Sequence, residues 1–125
     1  MIAVEVENRS GIAVDEAAIV GLCRATLARE GIDEGELGVV LVRPDEIRAL
    51  KREHLAIDEA TDVLSFPIDA RDDLPAGVPR QLGDVVLCPQ VVVGAWRAPL
   101  VHALLHLLGY EHGEAMRERE EALVG

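Results

Sequence analysis

Three histidines set the tightest limit on how this chain can fold. His102, His106 and His112 stand at H-x-x-x-H-x-x-G-x-x-H spacing, with Gly109 at the internal glycine. Side chains four residues apart share one face of a helix, so the first two imidazoles must lie side by side if 99–108 is helical. Gly109 can end that helix in a left-handed conformation, because it has no Cβ to clash. The turn brings His112 back toward the pair. Neutral nitrogen donors with one position left open form the pattern of a catalytic zinc site rather than a closed structural one. A single histidine among leucines is ordinarily a hydrogen-bonded core residue. Here three of the chain's four histidines fall together among Val101, Leu104, Leu105, Leu107 and Leu108. Burying imidazoles in that setting costs several kcal/mol unless their nitrogens are satisfied, and a metal ion would satisfy them. One Zn2+ per chain on His102, His106 and His112 is the expectation.

The rest of the chain supports one domain over residues 1–125. Half of its residues are hydrophobic but only Phe66, Trp96 and Tyr110 are aromatic, so the core must be aliphatic. Residues 2–9 alternate apolar and polar, the pattern of a half-exposed strand. Asp15 is placed to cap a helix over 16–30 that Gly31 stops. Residues 36–43 form a more continuously apolar, central strand. Pro44 and Asp45 start a second helix, 61–67 a third strand and 82–89 a fourth. Residues 68–82, rich in proline and charge, read as a loop and as the segment freest to move. A helix near 90–98, the histidine helix from Pro99 and a terminal helix after Gly113 complete the order β-α-β-α-β-β-α-α-α. This predicts an α/β (α+β) fold: a single four-stranded mixed sheet packed with about five helices, the metal site on a C-terminal helix-turn.

Cys23 and Cys88 are isolated and read as buried thiols rather than zinc ligands. No apolar stretch of about twenty residues predicts a membrane span, and the N-terminus lacks a signal peptide's basic and apolar regions, so a cytoplasmic protein is expected. A net charge of −11 opposes nucleic acid at long range and demands a local cation or the metal for any phosphate contact.

A three-histidine site with an open position can polarise a carbonyl or a phosphoryl oxygen, so peptide and phosphodiester hydrolysis both fit. Metzincin proteases place their glutamate base directly after the first histidine. Here that residue is Ala103, which argues against a metalloprotease.

The chain resembles the YbeY family of bacterial rRNA-maturation endoribonucleases. The family's H-G-x-L-H-L-x-G-Y-D-H appears as His102-Ala-Leu-Leu-His106-Leu-Leu-Gly109-Tyr110-Glu111-His112. Thr61-Asp62-Val63-Leu64-Ser65-Phe66-Pro67 and Leu82-Gly83-Asp84-Val85 match two further segments, and Met116 and Glu120 also agree. The resemblance implies an α/β fold with one sheet, zinc on the three histidines, and cleavage of single-stranded RNA. It further implies a role in 16S rRNA 3′-end maturation and ribosome quality control, with the small subunit and assembly factors as partners and no DNA.

Ala103, Glu111 and Ala60 are mild departures from the family pattern. Leu55 is a sharper one, because it stands where the family carries an arginine thought to meet RNA phosphate, and it cannot donate to one. Arg48, Lys51 or Arg52 could supply that charge, although a solvated helix face is the expectation for them, as an exposed helix end is for His54. Asp62 and Asp84 have two readings each, site residue or turn and cap. Packing is expected of Ser65 and Tyr110, solvent exposure of Arg97, and Glu111 reaches the site only if the turn is tight. No residue is assigned as general base. The second reading is a non-catalytic, zinc-containing ribosome-assembly factor.

Overall fold

A computed structural model describes residues 1–54, 62–92, 94–111 and 113–124. The order of elements is β1 (Ile2–Asn8), α1 (Glu16–Arg29), β2 (Gly35–Leu41), α2 (Pro44–Glu53), β3 (Val63–Pro67), β4 (Gln81–Leu87), α3 (Pro89–Val92), α4 (Arg97–Leu107) and α5 (Glu114–Val124). The four strands form one mixed sheet in the order β1-β2-β4-β3. β1 and β2 are parallel, β2 and β4 are parallel, and β3 runs antiparallel to β4 at the edge. This is the predicted α+β architecture.

Helices cover the sheet unequally. Leu37, Val39 and Leu41 of β2 and Val85 and Leu87 of β4 pack against α1 and α4 in the main core, with Ile19, Cys23, Leu27, Leu100 and Leu104. On the opposite face Val86, Leu64 and Cys88 meet Ile47 of α2. Central strands buried on both faces need apolar residues at nearly every position, which is why β2 and β4 read as continuous runs. β1, at an edge, keeps its alternation: Ile2 is buried and Val4 and Val6 half-buried, while Ala3, Glu5 and Glu7 face solvent.

Local signals fixed the first helix. The Asp15 carboxylate accepts from the Ala18 amide (3.0 Å), satisfying one of the amides left open at a helix start. Two boundaries differ from expectation. α3 is described as a single turn, Pro89–Val92, and Gly94 takes a positive φ of 85°. α4 begins at Arg97, before Pro99, since the first turn of a helix tolerates a residue without an N–H.

The Leu82-Gly83-Asp84 segment serves the sheet. Glu36 pairs with Gln81 and Leu37 with Gly83, leaving Leu82 as the extra residue of a bulge. Gly83 has φ 125°, and a Cβ there would collide with the Phe66 carbonyl oxygen. The loop 68–80 is tied at its base by the Asp69 carboxylate, which accepts from the Gln81 amide (2.7 Å), and by Arg80, which donates to the Ala70 carbonyl (2.7 Å). Among the described residues no helix is long and apolar enough to cross a membrane.

Candidate metal centre

α4 is buried on almost every side. Leu100, Ala103, Leu104 and Leu107 face the sheet and α1, while Val101 and Leu105 face Met116 of α5. His102 and His106 occupy the remaining strip and stay half-buried. The i, i+4 spacing therefore places both imidazoles side by side along a half-buried strip of the helix.

Gly109 then turns the chain, with φ 99°. Its amide donates to the His106 carbonyl (3.0 Å), and the Tyr110 amide donates to the Leu105 carbonyl (3.1 Å). This pair of bonds is the Schellman termination, which satisfies carbonyls that the helix leaves open. The turn also aims the Tyr110 carbonyl back at the helix. His106 Nδ1 donates to it at 2.8 Å, and a carbonyl can only accept, so Nδ1 must carry the proton. His102 Nδ1 lies 2.5 Å from Glu120 Oε1 on α5, a carboxylate that likewise accepts. Each ring thus turns Nδ1 to an acceptor and Nε2 toward the other ring.

The two Nε2 atoms are 3.2 Å apart and the rings are inclined at 82°. Two ring nitrogens this close are satisfied by a proton shared between them or by a cation bound to both. Zinc–nitrogen bonds of about 2.0–2.1 Å at a tetrahedral angle would hold two nitrogens roughly 3.3 Å apart. The pair fits that requirement, and the carboxylate and carbonyl behind it are the partners that orient metal-binding histidines. His112, the third expected ligand, lies outside the described residues, as do Leu55, Ala60 and Thr61. Among the described residues no set of three histidine, cysteine or carboxylate ligands forms.

A cleft of about 170 Å³ beside the pair is lined by His102, Gly113, Met116, Arg117 and Glu120. Arg117 thus brings a cation to the site that the sequence reading did not single out. Ala103 is packed into the core with 1% exposure, so the protease position supplies no acid or base.

The other candidates separate clearly. Asp84 lies on the sheet face opposite α4, in a cleft with Glu5, Glu36 and Ile68, and is no part of the histidine site. Ser65 pairs with Val85 on the α4 face and is buried there, as expected of packing. The Asp62 carbonyl accepts from the Cys88 amide (2.9 Å), and no described contact joins Asp62 to the histidines. Arg97 is exposed and stacks over Trp96, 4.5 Å from the ring centre. His54 is the exposed end of α2, edge-on to Phe66 at 5.0 Å. Arg48 and Lys51 flank a small cleft with Ile47 and Val91, and Arg52 is exposed. Glu111 is exposed at the turn. Tyr110 packs against the core as expected, and its hydroxyl also donates to Glu30 Oε1 at 2.8 Å.

The sequence model of the family described as "Endoribonuclease YbeY" matches residues 5–124. The chain belongs to the YbeY family. Relatives described as Endoribonuclease YbeY include one from Mycolicibacterium paratuberculosis, 35% identical over 134 residues that cover 94% of this chain and 76% of that one. A relative from Salinispora tropica is 37% identical over 137 residues, covering 94% and 87%. The YbeY protein of Mycobacterium tuberculosis is 34% identical, covering 94% and 76%. In fold, the chain is similar to the solution structure of TM1509 from Thermotoga maritima, with a TM-score of 0.55 and 24% identity over 99% of this chain and 87% of that one.

Proposed function

We propose that this YbeY-family chain is a zinc-dependent endoribonuclease that cleaves single-stranded RNA in the maturation of the 16S rRNA 3′ end and in ribosome quality control. The observation that carries this reading is the His102–His106 pair, with both Nδ1 atoms committed as donors and the two Nε2 atoms 3.2 Å apart. His102 and His106 would hold zinc through Nε2, with His112 as the third ligand given by the sequence. Bound there, zinc would supply Lewis acidity toward a phosphoryl oxygen and lower the pKa of a water ligand to about 7.

The protein's own part is orientation and charge. Glu120 and the Tyr110 carbonyl keep the imidazoles pointed at one place. Arg117, lining the same cleft as His102, offers a guanidinium to a phosphate of the strand. That local cation answers the net charge of −11, which would otherwise repel RNA. The small ribosomal subunit and its assembly factors are the proposed setting, in the cytoplasm.

Metal analysis combined with an rRNA cleavage assay tests this reading. The purified protein is expected to carry one zinc and to lose cleavage on chelation, and His106→Ala to lose both. Undiminished cleavage by the metal-free His106→Ala protein would refute it.

A further inference from the structure

Glu30 closes α1, and its side chain is only 3% exposed. It is far from both histidines in sequence, and nothing in the zinc reading uses it. Around it converge three other parts of the fold. Tyr110 Oη donates to Oε1 at 2.8 Å, from the turn after α4. Arg119 of α5 donates to Oε2 through Nε (2.8 Å) and through Nη2. Arg71, from the β3–β4 loop, donates to Oε1 at 3.2 Å and to the Glu30 backbone carbonyl at 2.9 Å. Burial alone would push the Glu30 carboxyl up. The Arg119 hydrogen bonds, the phenol and the two guanidinium charges outweigh it and hold the group below its ordinary value, so it is ionised at neutral pH.

A buried ion network of this kind is weak support for stability, since well-packed apolar residues often do as well. Its directional bonds do something that apolar packing cannot: they fix orientation. Tyr110 is fastened twice, by its hydroxyl to Glu30 and by its carbonyl to His106 Nδ1. Arg119 and Glu120 are neighbours on α5, so anchoring Arg119 on Glu30 sets the rotation that presents Glu120 to His102 Nδ1. Both acceptors that hold the histidine tautomers therefore trace back to one carboxylate.

We infer that Glu30 is a positioning residue for the metal centre, orienting His106 through Tyr110 and His102 through the Arg119–Glu120 pair of α5. The inference rests on the zinc reading above and names what sets the geometry of that site.

Glu30→Gln and Tyr110→Phe test it on the intact chain, with three readouts. Competition with a chromophoric chelator gives zinc affinity, and each variant is expected to bind more weakly by up to about tenfold, the lower end of the loss known for partners bonded directly to a ligand. The absorption bands of the cobalt-substituted protein should shift in both. Imidazole ¹⁵N shifts of the metal-free protein should show both rings protonated at Nδ1 in the wild type and mixed tautomers in Glu30→Gln. A merely structural role would lower the melting temperature and leave tautomers and cobalt spectrum unchanged, and that result overturns the inference. Should Glu30→Gln fail to fold, Tyr110→Phe decides, because it deletes a single hydroxyl. Wild-type protein that binds neither zinc nor cobalt would sink the metal reading alone, and the tautomer comparison would still decide the role of Glu30.

Discussion

Removing Glu120 should weaken zinc binding without unfolding the protein. The His102 Nδ1–Glu120 Oε1 contact of 2.5 Å does two things. It holds the proton on Nδ1, leaving Nε2 as the lone-pair donor, and it places a negative charge behind the ring, which makes that donor more basic. Supporting partners of this type are worth roughly 10- to 100-fold in metal affinity, or about 1.4–2.7 kcal/mol. Two substitutions divide the effect. Glu120→Gln keeps an oxygen that can accept from Nδ1–H and loses only the charge, so a loss of roughly tenfold is expected. Glu120→Ala loses both, and the upper end of the range, roughly 100-fold, is expected.

The pair is partly solvated, with 24% of the His102 and 28% of the Glu120 side chain exposed. Water can therefore replace the lost acceptor in the metal-free protein, and its stability should fall by no more than about 1 kcal/mol. The assay is chelator competition for zinc, with thermal melts of the metal-free protein alongside. Wild-type zinc affinity in Glu120→Ala would refute the reasoning, because it would mean that His102 does not bind through a nitrogen whose availability Glu120 sets. Equal losses in Gln and Ala would assign the whole effect to charge and none to the hydrogen bond.

Gly109→Ala should cost about 1–3 kcal/mol, since φ is 99° there, and should also weaken zinc binding by turning the Tyr110 carbonyl away from His106; an unchanged melting temperature and affinity would count against both. Arg117→Gln should raise KM for RNA and lower the salt slope of binding by about 0.7, the value for one phosphate contact on a single strand, with zinc content unchanged. An unaltered slope would remove Arg117 from the RNA path. Burial pushes the Cys23 thiol from 9.0 up to about 12, so the folded protein keeps a proton that the unfolded chain has lost. Its contribution to stability is complete below the unfolded pKa and is lost as pH rises toward 12, by about 1.4 kcal/mol per pH unit and up to about 4 kcal/mol in total. Denaturant melts across the alkaline range should show a shallower fall in Cys23→Ala, and parallel curves would exclude the thiol as the cause.

What could be read in advance was what lies close together in sequence. The alternation of Ile2, Val4 and Val6 gave a half-exposed strand, Asp15 a helix start, and Gly109 a helix end, because each is a contest among neighbouring backbone groups. The short α3 was not legible, since the apolar run after Pro89 suits a helix of any length. The histidine pair was legible for the same local reason: four residues make one helical turn. Glu120 was half legible. Met116 and Glu120 repeat the i, i+4 spacing, which places both on the side of α5 that meets α4, but nothing in the sequence says which histidine receives the carboxylate.

Glu30 was not legible at all. It stands 80 residues from the hydroxyl it receives and looks like any acid at the end of an exposed helix. The difference has a chemical meaning. Ligand identity is a matter of residue type and spacing, which a chain displays along its length. The tautomer of each ligand depends on acceptors that only the tertiary fold delivers, and two imidazoles 3.2 Å apart can share a cation only when both present Nε2. On the proposed zinc reading, the histidine motif is thus a necessary part of the centre and an insufficient one. A chain with the same three histidines, but without an acceptor behind His102 and a turned carbonyl behind His106, would have its nitrogens pointing either way and would bind metal correspondingly less well.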